Sequence, residues 1–231
     1  MDVDGKNLLF DSGAGTTGRL MEAGLSISDV DYIFYSHLHP DHTGELVSFL
    51  FSSKHGRRIE RKKPLTIVAG KGFSTFFEGL KKVYGKWIEL PDELFCIKEM
   101  SVSGFDSMSI DQIEVKTAPM NHSPESIGFR VVDSIGKSAV YSGDTDFSTE
   151  LEKLAIGADV LICDSSMPDG MKHDGHLTPS LAGEIAENAN VKKLVLTHLN
   201  PECDEVDMVA QCCRTFSGVV VLAHDLMEIK I

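Results

Sequence analysis

The segment His37-Leu38-His39-Pro40-Asp41-His42 carries the clearest chemical signal in the sequence. The chain of 231 residues contains nine histidines, and three of them fall within these six positions beside an aspartate. Imidazole nitrogens and carboxylate oxygens bind zinc, iron, manganese or nickel ions. A structural zinc site normally contains cysteine, and this segment has none. The pattern therefore predicts a catalytic metal site.

One loop does not supply all the ligands of a metal site, so further ligands are expected where other strands end. Three polar residues follow apolar strand patterns in this way: His122, Asp144 and His198. The strand patterns before them cover residues 113–118, 137–142 and 194–197. Because strand ends of one sheet meet at a common rim, these side chains are expected near one another.

The apolar spacing predicts strands alternating with helices along most of the chain. Strands are expected at residues 6–11, 31–36, 65–69, 159–163, 194–197 and 219–223, with short strands between 94 and 118 and a hairpin at 127–133 and 137–142. Helices are expected at residues 17–23, 74–84, 149–157 and 204–216, and from Thr178-Pro179 onwards. Ser74 is the expected N-cap of the second helix, and Thr149 with Glu152 has the spacing of a capping box.

This alternation with a β-rich middle predicts an α/β layered fold, organised as a single domain over residues 1–231. No leading element is predicted to pair with the first strand. A preceding strand or hairpin is therefore expected to be missing from the N-terminus.

The net charge of −13 argues against a broad basic surface for nucleic acid. One basic run stands out at residues 54–63, and it is either a solvated loop or a clamp for an anionic substrate. No apolar run reaches the roughly 18 residues needed to cross a bilayer, so no membrane is expected as a partner. Five scattered cysteines without CxxC spacing indicate a reducing compartment, and we expect a cytoplasmic protein.

The motif His37-x-His39-x-Asp41-His42, followed by His122, Asp144 and His198, resembles the ligand set of the metallo-β-lactamase superfamily in order and spacing. The resemblance extends from about Lys6 to the C-terminus. It implies a four-layer αβ/βα sandwich, in which two mixed β-sheets are flanked by helices.

The resemblance also implies roles for individual residues. Two divalent metal ions are expected, zinc first and manganese or iron as alternatives. The first would be bound by His37, His39 and His122, the second by Asp41, His42 and His198, and Asp144 would bridge both. Asp11, in the segment Leu8-Leu9-Phe10-Asp11-Ser12-Gly13, would orient the metal loop.

Within the superfamily, the segments Gly175-His176-Leu177-Thr178 and Leu196-Thr197-His198-Leu199-Asn200-Pro201 look like parts of ribonuclease Z and related phosphodiesterases. His176 would then donate a proton to the leaving oxygen, and with Asp41 it is expected to be catalytic. Such enzymes are often homodimers.

Two departures from ribonuclease Z affect the expected substrate. Many ribonuclease Z proteins have a long arm that grips transfer RNA between the residues matching His122 and Asp144, and here only one predicted hairpin lies there. The acidic charge is the other departure. An anionic small molecule or short nucleotide is therefore favoured over structured transfer RNA.

A pair of divalent ions about 3.5–4 Å apart can lower the pKa of a shared water to about 7, and the resulting hydroxide attacks phosphorus or a carbonyl carbon. The favoured function is therefore a dinuclear phosphodiesterase that acts by a metal-bridging hydroxide. One alternative is a hydrolase of another ester class, such as a thioester or lactone. The other is a non-hydrolytic redox or sensor protein on the same fold. Redox relatives often carry an acidic residue at the position of His39 and a flavodoxin-like partner domain, and neither is found here.

Overall fold

The structure is a computed structural model that describes residues 1–56 and 61–231. It divides into two compact units, Met1–Met100 and Ser101–Ile231, and each contains one β-sheet. The predicted single domain over residues 1–231 stays a prediction. Part of the predicted basic run, residues 57–60, lies outside the described residues.

The first unit has a five-stranded mixed sheet in the order β1-β2-β3-β4-β5. Its strands are β1 (Asp2–Val3), β2 (Lys6–Phe10), β3 (Tyr32–Tyr35), β4 (Leu65–Gly70) and β5 (Phe95–Met100). The first pair is antiparallel and the other three pairs are parallel. The sequence predicts no element that precedes β2 and pairs with it. This prediction is wrong, because the two-residue strand β1 precedes β2 and pairs with it.

The helices of the first unit are α1 (Thr16–Glu22), α2 (Pro40–Thr43), α3 (Leu46–His55) and α4 (Phe73–Tyr84). Both α3 and α4 bury apolar side chains in one core with the sheet, and Phe49, Leu50 and Phe73 are fully buried there. No predicted element corresponds to α3, because its apolar residues are not confined to one helical face. The predicted N-cap Ser74 is wrong, because the N-cap of α4 is Gly72. The Glu99 side chain accepts hydrogen bonds from the Gly72 N–H at 3.0 Å and from the Ser74 N–H at 2.7 Å.

The second unit has a seven-stranded mixed sheet in the order β12-β11-β10-β9-β8-β7-β6. Its strands are β6 (Asp106–Ile110), β7 (Ile113–Pro119), β8 (Ile127–Val132), β9 (Ser138–Tyr141), β10 (Val160–Asp164), β11 (Lys193–Thr197) and β12 (Val219–Leu222). Pairs from β6 to β9 are antiparallel, and pairs from β9 to β12 are parallel. The predicted hairpin is confirmed as β8 and β9.

Three helices, α5 (Thr149–Ala155), α6 (Pro179–Asn188) and α7 (Met208–Cys212), contribute to the core of the second unit. The cap of α5 is Ser148 rather than the predicted Thr149, since the Ser148 side chain accepts from the Leu151 N–H. The predicted last helix is also shorter than expected. A 3-10 turn covers Pro201–Glu205, and α7 begins only after Asp207, whose side chain accepts from the Ala210 N–H.

The predicted pair of mixed β-sheets flanked by helices is confirmed. Within the described ranges, every helix is too short or too polar to cross a membrane. The parallel strands are the part of the fold that positions the site, because parallel neighbours bring their carboxyl ends to one edge of a sheet. In the first unit Phe10 pairs with Phe34, so the residues that follow β2 and β3 meet. In the second unit Asp164 pairs with Thr197, so the residues that follow β10 and β11 meet.

Candidate functional site

The histidine segment of the first unit forms a compact cluster at the end of β3. Pro40 is the first residue of α2, and this short helix turns the chain so that the three imidazole rings converge. The ring centroid of His37 lies 4.6 Å from that of His39 and 4.1 Å from that of His42. His37 and His42 are buried, whereas His39 and Asp41 are exposed. The cluster therefore has an inner pair of rings and an outer pair of potential ligands.

Asp11, which follows β2, accepts hydrogen bonds from the residues that carry the cluster. Its Oδ1 accepts from the Ser36 N–H at 2.8 Å. Its Oδ2 accepts from the Ser36 hydroxyl at 2.7 Å and from Nδ1 of His42 at 2.7 Å. Asp11 has a φ of 54°, a left-handed conformation that aspartate adopts more readily than most residues. One carboxylate therefore orients two neighbouring parts of the loop.

These bonds also determine the tautomers of two imidazole rings. Because the Ser36 hydroxyl donates its hydrogen to Asp11, its oxygen accepts from Nδ1 of His37 at 3.0 Å. His42 donates from Nδ1 as well, to Asp11. Both rings thus carry the proton on Nδ1 and the lone pair on Nε2, which is the arrangement of a histidine that binds a metal through Nε2.

The histidine loop, residues 37–42, packs directly against the turn after Asp11. A Cβ atom on Gly13 would lie 1.9 Å from the carbonyl oxygen of Asp41, so only glycine fits. The Ser12 N–H donates to the carbonyl of His42 at 2.7 Å, and the Glu45 N–H donates to the carbonyl of Ser12 at 2.8 Å. The Asp-Ser-Gly sequence at residues 11–13 is therefore a support for the loop.

The second unit has its own cluster, in which Asp144 lies between two histidines. Asp144 follows β9, and its Oδ1 lies 3.3 Å from Nδ1 of His198, which follows β11. Its Oδ2 lies 3.8 Å from Nε2 of His122. Asp144 is 3% exposed. The structure thus brings together the three predicted strand-end residues of this unit.

His122 is oriented by the loop that precedes His176. Its Nδ1 lies 2.9 Å from the carbonyl oxygen of Gly175, and because a carbonyl can only accept, His122 carries its proton on Nδ1. Its Nε2 then has the lone pair and faces Asp144. Gly175 has a φ of 83°, and a Cβ there would lie 3.0 Å from Nδ1 of His122. Glycine at position 175 is therefore a structural requirement of the cluster.

His176 lies among the other rings of this cluster. Its centroid is 5.0 Å from that of His122 and 5.3 Å from that of His198, with which it is stacked. Its Nδ1 lies 3.0 Å from Oδ2 of Asp164, the last residue of β10. Suitable atoms of Asp144, Asp164 and His176 all lie within 4.8 Å of one another. The predicted proton donor is thus held next to the predicted ligands of its own unit.

Asp164 is a functional candidate that was not among the predicted site residues. It is fully buried, and burial raises the pKa of its carboxyl, while the hydrogen bond with His176 acts in the opposite direction. Its Oδ2 also accepts from the Thr145 N–H at 3.1 Å. Within the described residues, its Oδ1 has no hydrogen-bond partner. The signal that identified Asp144 and His198, a polar residue after an apolar strand pattern, applies equally to Asp164.

Both clusters have a donor set that fits divalent metal ions. All the side chains are imidazoles or carboxylates, and His37, His42 and His122 each present Nε2 as the atom with the lone pair. The other ring nitrogen is held by a carboxylate, a hydroxyl or a backbone carbonyl, as is typical of metal-binding histidines.

A family model described as "Beta-lactamase superfamily domain" matches residues 6–199. Among curated relatives, a ribonuclease Z of Methanothermobacter thermautotrophicus is 28% identical, with 99% of this chain and 89% of the relative covered. The uncharacterized protein Rv1339 of Mycobacterium tuberculosis is 30% identical, with 96% and 81% covered.

Two solved structures have a similar fold. The metallo-beta-lactamase fold protein YhfI of Bacillus subtilis matches with a TM-score of 0.82 at 19% identity, covering 96% of this chain and 86% of its own. The short form of human tRNase Z matches with a TM-score of 0.78 at 26% identity, covering 100% and 90%.

Proposed function

Because the chain belongs to the beta-lactamase superfamily, we propose that it is a dinuclear metal-dependent phosphodiesterase for small or short nucleotide substrates. The family, the ribonuclease Z relatives and the His/Asp clusters together support the more general statement that it is a metal-dependent hydrolase. The bond cleaved, the number of metal ions and the roles of the residues are the parts that we propose.

Seven side chains are the proposed metal ligands, and they are assigned from the order of ligands in the family. One ion is assigned to His37, His39 and His122, the other to Asp41, His42 and His198, and Asp144 to both. The donor chemistry of each cluster supports this assignment. We further propose zinc as the metal, a homodimer and a cytoplasmic location, the last from the five free cysteines.

Two divalent ions would supply a nucleophile at neutral pH and would stabilise negative charge on the substrate. The protein's own contribution is to hold the ligands and to manage the proton that the leaving oxygen needs. Asp164 holds the His176 ring through Nδ1, so Nε2 is the atom that can give a proton to that oxygen. A carboxylate beside an imidazole also stabilises its protonated form.

The pairing of His176 with Asp164 is the observation that carries the proposal. A redox or sensor site needs only metal ligands, whereas hydrolysis also needs a proton donor beside them, and His176 is placed to supply that proton. The choice of a small substrate rests on the segment between His122 and Asp144. Between them the chain forms only β8, β9 and their connections, which leaves no room for an arm that could grip transfer RNA.

The test combines elemental analysis of the purified chain with hydrolysis of bis-p-nitrophenyl phosphate. We expect two metal ions per chain and turnover, and we expect Asp144→Ala to lose both. Asp174→Ala is the matched control. It removes the same charge, and Asp174 is an exposed aspartate two positions from His176. Metal without turnover of phosphodiesters, thioesters or lactones would refute the proposal in favour of a redox or sensor protein. Turnover of a thioester or lactone alone would favour the other ester class.

A further inference from the structure

The first unit exposes three aromatic rings that touch one another. Phe51 and His55 lie in the last turns of α3, and Trp87 lies in the 3-10 turn Gly85–Trp87 that follows α4. The ring centroids are 4.7 Å apart for Phe51 and His55, 5.5 Å for His55 and Trp87, and 6.3 Å for Phe51 and Trp87. Phe51 is 44% exposed and Trp87 is 54% exposed. We call these three residues the aromatic patch.

Two lysines, Lys54 and Lys86, lie at the aromatic patch, although the chain as a whole has a net charge of −13. The two segments that supply it, residues 51–56 and 81–88, contain four lysines, of which Lys81 is paired with Glu78 at 2.6 Å, and Glu89 follows directly after the second segment. The ammonium of Lys86 lies 5.8 Å from the centroid of the Trp87 ring. Lys54 donates a hydrogen bond to the carbonyl of Lys86, which ties the two segments together. This local charge favours an anionic partner.

We propose that the aromatic patch binds single-stranded nucleic acid by stacking unpaired bases on its rings. Exposed aromatic side chains beside lysines are the usual means by which proteins bind single strands without sequence preference. A duplex would not fit, because its bases are already stacked on one another. The inference rests on the proposed function, and it identifies a short single-stranded oligonucleotide as the substrate class.

The histidine loop and the aromatic patch lie towards opposite ends of helix α3. Helix α3 begins at Leu46, four positions after His42, and ends at His55. Its ten residues span about 15 Å, a length that a few nucleotides can bridge. A strand that reached both sites would have to run along this helix.

A second copy of the chain is a poorer occupant of the aromatic patch. In a twofold-symmetric contact the same surface meets itself, so Lys54 and Lys86 would face their own counterparts. Like charges placed opposite each other in an interface oppose association. A phosphate backbone would instead neutralise these lysines.

Trp87 provides a direct measurement, because it is the only tryptophan of the sequence. The full chain, as purified, is mixed with hexauridylate or hexathymidylate in a stopped-flow fluorimeter, so that binding is read before any turnover. We expect saturable quenching of the Trp87 emission by at least one of the two. An abasic oligomer with the same number of phosphates, or a duplex, is expected to leave the emission almost unchanged.

Phe51→Ala should reduce the affinity for the oligonucleotide that quenches by about fivefold to a hundredfold, because one stacking ring is lost. Phe105→Ala is the matched control, since Phe105 is a phenylalanine of the second unit that is 52% exposed. Lys86→Gln should reduce the dependence of binding on salt by about one phosphate contact. His55→Ala, a second variant of the aromatic patch, replaces Phe51→Ala in the test if Phe51→Ala does not fold.

The proposal is overturned if neither oligonucleotide quenches, if the abasic oligomer quenches equally, or if Phe105→Ala weakens binding as much as Phe51→Ala. It is also overturned if Trp87 emission responds only to protein concentration, the result expected of a self-association surface. Hexadeoxyuridylate, which differs from hexauridylate only in the 2′-hydroxyl groups, decides between RNA and DNA. Hydrolysis of bis-p-nitrophenyl phosphate is measured separately on the unaltered chain. Turnover without quenching refutes only the aromatic patch, and quenching without turnover refutes only the proposed function.

Discussion

Nδ1 of His176 lies 3.0 Å from Oδ2 of Asp164, a carboxylate that is buried at the end of β10. The contact fixes the orientation of the imidazole ring and leaves Nε2 as the atom that can exchange a proton with a substrate. A proton donor matters most when the leaving oxygen is a poor leaving group, and this dependence distinguishes the role of His176 from that of a metal ligand.

His176→Ala is expected to slow cleavage of a dinucleotide by about 10²–10⁴-fold, because its alkoxide leaving group needs a proton. The loss should be much smaller for bis-p-nitrophenyl phosphate, since p-nitrophenolate leaves without one. Asp164→Asn should shift activity in the same sense, and Asp174→Asn serves as the control. Steady-state rates on both substrates provide the measurement. An equal loss on both substrates would mean that His176 does not act as a proton donor.

Asp11→Asn should weaken metal binding by about 10–100-fold, the usual effect of losing a partner that orients a ligand. The amide cannot accept all three of the hydrogen bonds that Asp11 accepts from Ser36 and His42. Competition with a chromophoric zinc chelator measures the affinity. The control is Asp111→Asn, because the exposed Asp111 has a φ of 51°, close to the 54° of Asp11. Equal affinity in the two variants would contradict an orienting role for Asp11.

Gly13→Ala should reduce the free energy of unfolding by about 1–3 kcal/mol or more, as is usual for overpacking. The new Cβ would lie 1.9 Å from the carbonyl oxygen of Asp41, and neither backbone can move without disturbing the histidine loop. Gly18→Ala is the control, because Gly18 lies within α1 and has nothing within 4 Å of a new Cβ. That change should stabilise the chain by roughly 0.5–1 kcal/mol. Urea unfolding of both variants checks the contrast.

Asp159 is expected to contribute to stability in a pH-dependent way. The Lys192 ammonium, which donates a hydrogen bond to Asp159 at 2.8 Å, lowers the pKa of that carboxyl, burial opposes this, and the Ser138 N–H lowers the pKa further. A carboxyl with a lowered pKa stabilises the fold above its unfolded pKa of about 3.9, and this stabilisation is lost as the pH falls through its folded pKa.

Asp159→Asn should therefore be less stable than the unaltered chain at neutral pH, and the difference should shrink in acid. Urea midpoints measured from pH 7 down to pH 3 test this. A difference that does not change with pH would show that ionisation of Asp159 does not contribute.

The residues of the candidate site that could be predicted from the sequence are those that stand at the ends of apolar strands. The strand-end pattern predicts His122, Asp144 and His198, and each of them follows the end of its strand. Asp164 also stands at the end of an apolar strand pattern, but nothing in the sequence shows which residue it contacts. Its partner His176 is twelve positions away, so only the fold reveals the contact.

The elements that could not be predicted are those determined by tertiary contacts. Helix α3 lacks a clear polar face, so its sequence shows no helical periodicity, and its place in the fold depends on its burial in the core. The start of α4 depends on Glu99, which lies 25 positions beyond Ser74 and accepts from its N–H. Helix caps of this kind are invisible in a local pattern, because the partner belongs to a distant strand.

The three hydrogen bonds that Asp11 accepts have a consequence for combinatorial mutagenesis. Ser36 and His42 donate to the same oxygen of Asp11, so the loss of either donor already weakens the positioning of the other. A second substitution therefore causes a smaller loss of metal affinity than it would cause alone. The sum of the effects of single substitutions in this loop will therefore exceed the effect of the combined substitution. An engineered ligand swap at His42 will have to redesign residue 36 in the same step.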